Sequence, residues 1–374
     1  MPEAKLGVIG GSGLYEIEGL SNVKEVKVKT PFGDPSDAIV LGNLGKTRLA
    51  FLPRHGRGHR IMPTELPVRA NIWALKSLGV EWIISVNAVG SLQEDIRPLD
   101  LVIPDQLIDR TKGRVSTFFG EGIVGHVTFA DPFCPVLSRI LYRTASHRDL
   151  KDKVRKVYPK GTYLVMEGPH FSTRAESNLY RSWGASVVGM TAIPEAKLAR
   201  EAEICYAAIA CVTDYDCWHE VHESVSIEMV ISNLRKTLEA AREVIKKASA
   251  QLPKQRDCSC ATALKDAIIT SRELIPPKRK EELSLLIGKY LKSPFGHLRY
   301  FPISRESSSF LFSGINSLDV MIASLSAVAQ PQSLCLGSWA LAFFITSLAA
   351  SRVFRRFEIT ISMLTDSCTA CQQS

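Results

Sequence analysis

Apolar runs recur along the first 290 residues, and each reads as a strand: Leu6–Ile9, Thr47–Leu52, Trp82–Val86, Leu101–Ile103, Gly161–Met166, Ser186–Thr191 and, longest, Ile204–Val212. The last carries no charge, which predicts a strand buried on both faces. Between them lie stretches of helical period. Pro67 to Leu78 places Val68, Ile72, Leu75 and Leu78 on one side, and Ser226 to Lys247 does the same with Met229, Val230, Leu234, Leu238 and Ile245. Pro194 opens a third helix, a first-turn position where proline is tolerated. Strands alternating with helices predict a single α/β sheet.

Most of these strands end in glycine or polar residues, where such sheets keep their ligands. Ile204–Val212 breaks into Thr213-Asp214-Tyr215-Asp216. Alternation along a strand predicts both carboxylates on one side at the mouth of a pocket, gripping a nitrogen-rich ring; an Asp-rich turn is the simpler alternative. Gly10-Gly11-Ser12-Gly13 can aim backbone N–H groups and the Ser12 hydroxyl at an anion. Arg54-His55-Gly56-Arg57-Gly58-His59 pairs a planar fork of donors with glycines that allow close approach, which suits an oxyanion, although a solvated basic loop has the same composition. After Gly168-Pro169, Phe171 reads either as a core plug or as a lid on an aromatic ligand, and its local context favours the core.

The chain has 374 residues, enough for one large or two ordinary domains, with a net charge of +8. Its Lys and Arg are scattered among acids, so nucleic acid is not expected as a partner, and attraction of a small anion is the simpler use of the charge. The amino terminus runs straight into a strand without the pattern of a secretory signal, which predicts a cytoplasmic protein. Nine cysteines there should be mostly reduced. Cys134, Cys205, Cys211 and Cys217 read as small buried hydrophobes. Cys258-Ser259-Cys260 is close enough for a redox bridge or a soft-metal contact, but with no second Cys or His pair nearby in sequence no metal is expected.

Taken in order, Gly10–Leu14, Thr30-Pro31-Phe32-Gly33, Arg54-His55-Gly56-Arg57, Asn71-Ile72-Trp73-Ala74-Leu75, Glu167-Gly168-Pro169 with Phe171-Ser172, and Thr213-Asp214-Tyr215-Asp216-Cys217-Trp218 resemble the trimeric purine nucleoside phosphorylase family, and within it the branch acting on 5'-methylthioadenosine. The resemblance covers roughly residues 4 to 291. It implies a single-domain mixed twisted sheet flanked by helices, a homotrimer, and phosphate-dependent cleavage of 5'-methylthioadenosine to adenine and 5-methylthioribose 1-phosphate. Inorganic phosphate is a co-substrate there, and no metal or organic cofactor is implied. Ser12, Arg54, His55, Asn87, Ala88 and Thr191 match the phosphate-binding positions. Met190 matches the ribose contact, Phe171 the base-stacking ring, and Asp214, Tyr215 and Asp216 the base-binding stretch.

Within that stretch Asp214 is the expected general acid toward purine N7, and Asp216 the acceptor from the 6-amino group. Ser172 leaves space along the same edge of the base. Ile227 stands where relatives accepting a free 5'-hydroxyl carry histidine, so it should select the methylthio group. His126 is expected to reach the site of a neighbouring subunit. Asn87 departs from the Thr of relatives but keeps a donor. Residues 292–374 match nothing in the family. Leu334–Ala350 is uncharged and at the short limit of a membrane span; the reading adopted is an extension without a recognised fold, disordered or loosely packed, and no membrane partner. The alternatives are a phosphorylase preferring inosine, guanosine or methylthioinosine, a dinucleotide-binding redox protein built on Leu6–Leu14, and a non-catalytic purine-binding module.

Overall fold

The computed structural model describes residues 3–11, 14, 17–150, 152–219 and 227–292. Ser12 and the extension from 293 onward lie outside the described residues.

Eleven strands form one sheet. In chain order they are β1 (Leu6–Gly10), β2 (Leu20–Val26), β3 (Ile39–Leu44), β4 (Thr47–Pro53), β5 (Trp82–Ser91), β6 (Leu101–Val102), β7 (Gln106–Arg110), β8 (Val157–Tyr158), β9 (Thr162–Met166), β10 (Val187–Gly189) and β11 (Cys205–Asp214). Their main path runs β2-β3-β4-β1-β5-β10-β9-β7, and β11 adds to β5 and continues to β6 and β8. β1 lies parallel to β4 and β5, and β11 parallel to β5, whereas β2, β3 and β4 form an antiparallel meander and β10 runs against β5. The sheet is therefore mixed, as the resemblance implies.

The described α-helices are α1 (Val68–Ser77), α2 (Pro135–Ala145), α3 (Arg174–Ser182), α4 (Ala192–Glu201), α5 (Ile227–Ser249), α6 (Pro277–Glu282) and α7 (Ser284–Lys292), with short 3-10 turns between elements. All ten residues of β11 are buried, because its period-2 alternation feeds two cores. Tyr206, Ala208, Ala210 and Val212 pack with Ile72 and Leu75 of α1 and Ala196 and Ala199 of α4. Cys205, Ala207, Ile209 and Cys211 pack with Leu137 and Leu141 of α2 and Val244 and Ile245 of α5. Each large aliphatic chain so covered contributes about 1.5–3 kcal/mol. α1 stops at Ser77, and Gly79 follows at φ +87°, a left-handed conformation that glycine adopts without steric cost.

Strands β2, β3, β7 and β8 and helices α2, α3, α6 and α7 are absent from the sequence reading, the strand read as Ser186–Thr191 spans only Val187–Gly189, and β5 and the start of α4 also differ from the reading. β5 continues past Val86 to Ser91, because its buried polar groups find partners: Ser85 Oγ donates to Asn87 Oδ1 (3.1 Å), and Asn87 Nδ2 donates to Thr191 Oγ1 (2.8 Å). Pro194 lies near the start of α4, but Ile193 before it is extended (φ −109°, ψ 131°), as the clash with a following proline ring requires.

Candidate functional site

The ends of β1, β4, β5, β10 and β11 converge with α5 on one cavity of about 630 Å³, a size usual for small-molecule sites. Of the residues singled out from sequence, Arg54, His55, Ala88, Thr191, Met190, Phe171, Asp214 and Asp216 line it. The basic loop and the acidic pair thus share one cleft.

The acidic end is built by the exit from β11. Thr213 Oγ1 donates to Asp214 Oδ2 (2.6 Å), and the Asp216 backbone N–H donates to Asp214 Oδ1 (2.8 Å). Burial nevertheless pushes the Asp214 carboxyl up to about 6, against those two hydrogen bonds and with the neighbouring charge of Asp216 adding to it. Asp216 reaches the same cavity for a reason other than strand alternation: the strand ends at Asp214, and Asp216 takes φ +49°, which Asp tolerates better than most residues. Burial raises its carboxyl too, with the Ser177 and Ser172 hydroxyls opposing from nearby. Oδ2 has no hydrogen-bond partner among the described residues, so this end presents an acceptor that wants a donor.

Gly90 closes against both acids. A Cβ there would lie 2.9 Å from Asp214 Oδ1 and 3.2 Å from Asp216 Cβ. Gly90→Ala is therefore expected to displace the pair, lower kcat/KM by about 100-fold and destabilise the fold by about 1–3 kcal/mol through overpacking; steady-state kinetics beside a thermal melt checks both.

The basic end differs from expectation in one respect. The Arg54 fork is engaged within the protein: Nε and Nη2 meet the Glu195 carboxylate at 2.5 and 3.2 Å, Nη1 donates to Val86 O (2.9 Å), and Nη2 donates to Ser85 Oγ (2.6 Å). Among the described residues one Nη1 hydrogen is left. His55 Nδ1 lies 2.8 Å from Ile61 O, which makes Nδ1 the protonated nitrogen and Nε2 the acceptor, and its ring stacks on His59. Burial, then the Arg54 charge, lowers its pKa to about 4, so it is neutral at pH 7. Thr191 Oγ1 accepts from Asn87, which leaves its own proton to donate into the cavity.

Other expected residues stand elsewhere. Asn87 does not line the cavity and acts on it through Thr191. Tyr215 turns away from it, donating to Glu94 O (3.2 Å) and packing against Trp218 and His219. Ser172 is buried behind Asp216, with its hydroxyl 3.4 Å from the Met166 sulfur. Phe171 is 45% exposed at the cavity rim, so the core reading of that ring is corrected. Ile227, 63% exposed, lies one helical turn before Ile231 and outside the lining. His126 is exposed, its N–H bonded to Ala267 O, and does not line this cavity.

Sequence reasoning missed three features. Glu195 carries nothing that marks it as the partner of Arg54. Arg114, in a long irregular stretch, donates from Nη1 to Met190 O (2.6 Å) and Ile193 O (2.9 Å) and pairs with Glu167 (2.9 Å), tying the ends of β9 and β10 together. The apolar face of α5 supplies Val230, Ile231 and Leu234 to the cavity; their helical spacing was the available signal. Asn233 Nδ2 holds that helix to Thr213 O (2.7 Å). The premise that Cys258 and Cys260 lack a second thiol pair is also corrected, since Cys134 and Cys205 fold against them. No described helix is long and apolar enough to cross a membrane.

Residues 5–250 match the phosphorylase superfamily. The S-methyl-5'-thioadenosine phosphorylase of Koribacter versatilis is 56% identical over 288 residues, 77% of this chain and 97% of that protein. The enzyme of the same name from Geobacter sulfurreducens is 56% identical over 290 residues, 77% of this chain and all of its own length. Among solved structures, a methylthioadenosine phosphorylase from an antarctic soil metagenomic library superposes with a TM-score of 0.73 at 52% identity, covering 76% of this chain and 99% of that one. The Schistosoma mansoni methylthioadenosine phosphorylase in complex with adenine gives 0.64 at 37%, covering 76% and 98%. With relatives more than half identical over nearly their whole length, and a cavity that joins the matching motifs, the chain belongs to the phosphorylase superfamily.

Proposed function

We propose that this protein is an S-methyl-5'-thioadenosine phosphorylase: inorganic phosphate attacks the ribose C1' of 5'-methylthioadenosine, adenine leaves, and 5-methylthioribose 1-phosphate forms. The observation that carries the reading is the single cavity with the Arg54–His55 loop at one end and the Asp214/Asp216 pair at the other. Cleavage leaves positive charge on the sugar and negative charge on the base, and the two ends answer those charges separately.

Phosphate sits at the loop, held by the free Arg54 N–H, the Thr191 hydroxyl and the backbone beside Ala88, with Ser12 as a further donor. Neutral His55 accepts from a protonated phosphate oxygen through Nε2. Met190 lies under the sugar and Phe171 over the base. Asp214, whose carboxyl burial lifts to about 6, gives its proton to N7 from its protonated form as the C–N bond breaks. The unpartnered Asp216 oxygen accepts from the 6-amino group, whereas a 6-oxo base would set acceptor against acceptor. Val230 and Ile231 offer apolar surface to the methylthio end, a role Ile227 was expected to fill. His126 is carried over as a contact to the neighbouring subunit of a homotrimer working in the cytoplasm.

Adenine release measured with and without phosphate tests the reaction. We expect release to depend on phosphate; release at the same rate without it identifies a hydrolase and ends the proposal. Asp216→Asn is expected to narrow the preference for methylthioadenosine over methylthioinosine by roughly 10²-fold or more, read by comparing kcat/KM for the two.

A further inference from the structure

Four cysteines from three separate parts of the chain meet on the side of the sheet covered by α2 and α5. Cys134 caps α2, Cys205 begins β11, Cys258 precedes a single turn of 3-10 helix after α5, and Cys260 lies within that turn. All four Sγ atoms lie within 4.8 Å of one another. Two of the separations are 3.8 Å (Cys134 to Cys258) and 3.3 Å (Cys205 to Cys258). We propose that Cys134, Cys205, Cys258 and Cys260 bind one structural zinc or ferrous ion as a tetrahedral tetrathiolate site.

The geometry favours an ion over other uses of four thiols. A tetrahedron with metal–sulfur bonds of about 2.3 Å has sulfur–sulfur edges of about 3.8 Å, which the cluster already approximates. Two disulfides would instead divide the four into close pairs near 2.0 Å, and none of the four is in a disulfide. Cys134, Cys205 and Cys260 are buried while Cys258 is partly exposed, which leaves an entry path on one side. Four thiolate ligands make the site closed, so its role is structural, and soft sulfur ligands select zinc or iron over magnesium or calcium. Binding would release four thiol protons and leave a net charge of −2 on the cluster; Arg200 lies within Coulomb reach of Cys260 to offset part of it. The ion would pin residues 250–262, which leave α5 without regular structure apart from that one turn, to the starts of α2 and β11. This cluster plays no part in the proposed phosphorolysis.

The test is elemental analysis of the full chain purified under reductant, after loading with Zn²⁺ and removal of excess, beside a Co²⁺-loaded sample read by absorption. One equivalent of zinc or iron per chain, thiolate-to-cobalt charge-transfer bands with the ligand-field pattern of a tetrahedral ion, and loss of both in Cys258→Ser and Cys260→Ser support the site. Zinc against iron is decided by the metal found before loading. Cys217→Ala, outside the cluster, should keep its metal. Less than a tenth of an equivalent after loading, metal retained in both serine variants, or mass spectrometry showing the four cysteines as two disulfides in freshly purified protein overturns the proposal.

Discussion

Asp214→Asn lowers kcat/KM for 5'-methylthioadenosine by about 10²–10⁴-fold, the range for removing a general acid. The amide keeps a hydrogen-bond donor toward N7 but has no proton to give, so adenine binding should change far less than turnover. The pH profile separates this from a packing defect. Burial holds the parent carboxyl near 6 in the free protein, and in the proposed mechanism the protonated form is the active one, so kcat/KM at saturating phosphate should be level below that value and fall above it. In Asp214→Asn that alkaline limb should vanish. A variant that retains the limb would assign the proton to another group. Stability follows the same sign: the folded state prefers the neutral acid, so the Asp214 contribution is most favourable below about pH 4 and is lost as pH rises through 6. The move from 3.8 to about 6 corresponds to roughly 3 kcal/mol, and melting the ligand-free protein between pH 3 and 8 against the Asn variant measures it.

Glu195→Ala should produce the largest loss of stability. Glu195 is 1% exposed, takes hydrogen bonds from Arg54 and Tyr206, and lies 3.0 Å from Ser85 Oγ. Removing it leaves the Arg54 guanidinium, itself 3% exposed, as an uncompensated buried charge, which costs about 3–5 kcal/mol. For a domain of this size that lowers Tm by roughly 6–20 °C. The same change frees the loop that carries His55, so KM for phosphate should rise by about 10- to 100-fold while KM for the nucleoside moves little. Glu195→Gln, which keeps the shape and part of the bonding, should fall between. Differential scanning calorimetry and a phosphate titration read both effects; a Glu195→Ala protein that melts with the parent would show that the ion pair does not hold the loop.

How much of this was legible beforehand differs from residue to residue. β11 was readable because nine uncharged residues in a row have few places to go except a strand covered on both faces, and α1 and α5 because their apolar spacing matches a helix within two residues at either end. The acids, Arg54, His55 and Thr191 were readable as strand-end chemistry and as family motifs. Tyr215 was not, since its neighbours on either side enter the cavity and only the turn after Asp214 rotates its ring onto Trp218. Ile227 stands outside the cavity lining for a related reason: the motif supplied an apolar residue, but the rotation and depth of α5 decide that Val230 and Ile231 reach the cavity.

From the chain alone came the α/β class, the strand ends that hold chemistry and the family, because these are written in local periodicity and in motifs of adjacent residues. Tertiary structure alone decided three things: that Arg54 spends its fork on Glu195, 141 residues away; that burial lifts the Asp214 carboxyl to about 6; and that two isolated cysteines fold against Cys258 and Cys260. Each depends on which distant groups share a low-dielectric interior. No local pattern carries that information, because burial and charge pairing are properties of the closed sheet and its helices.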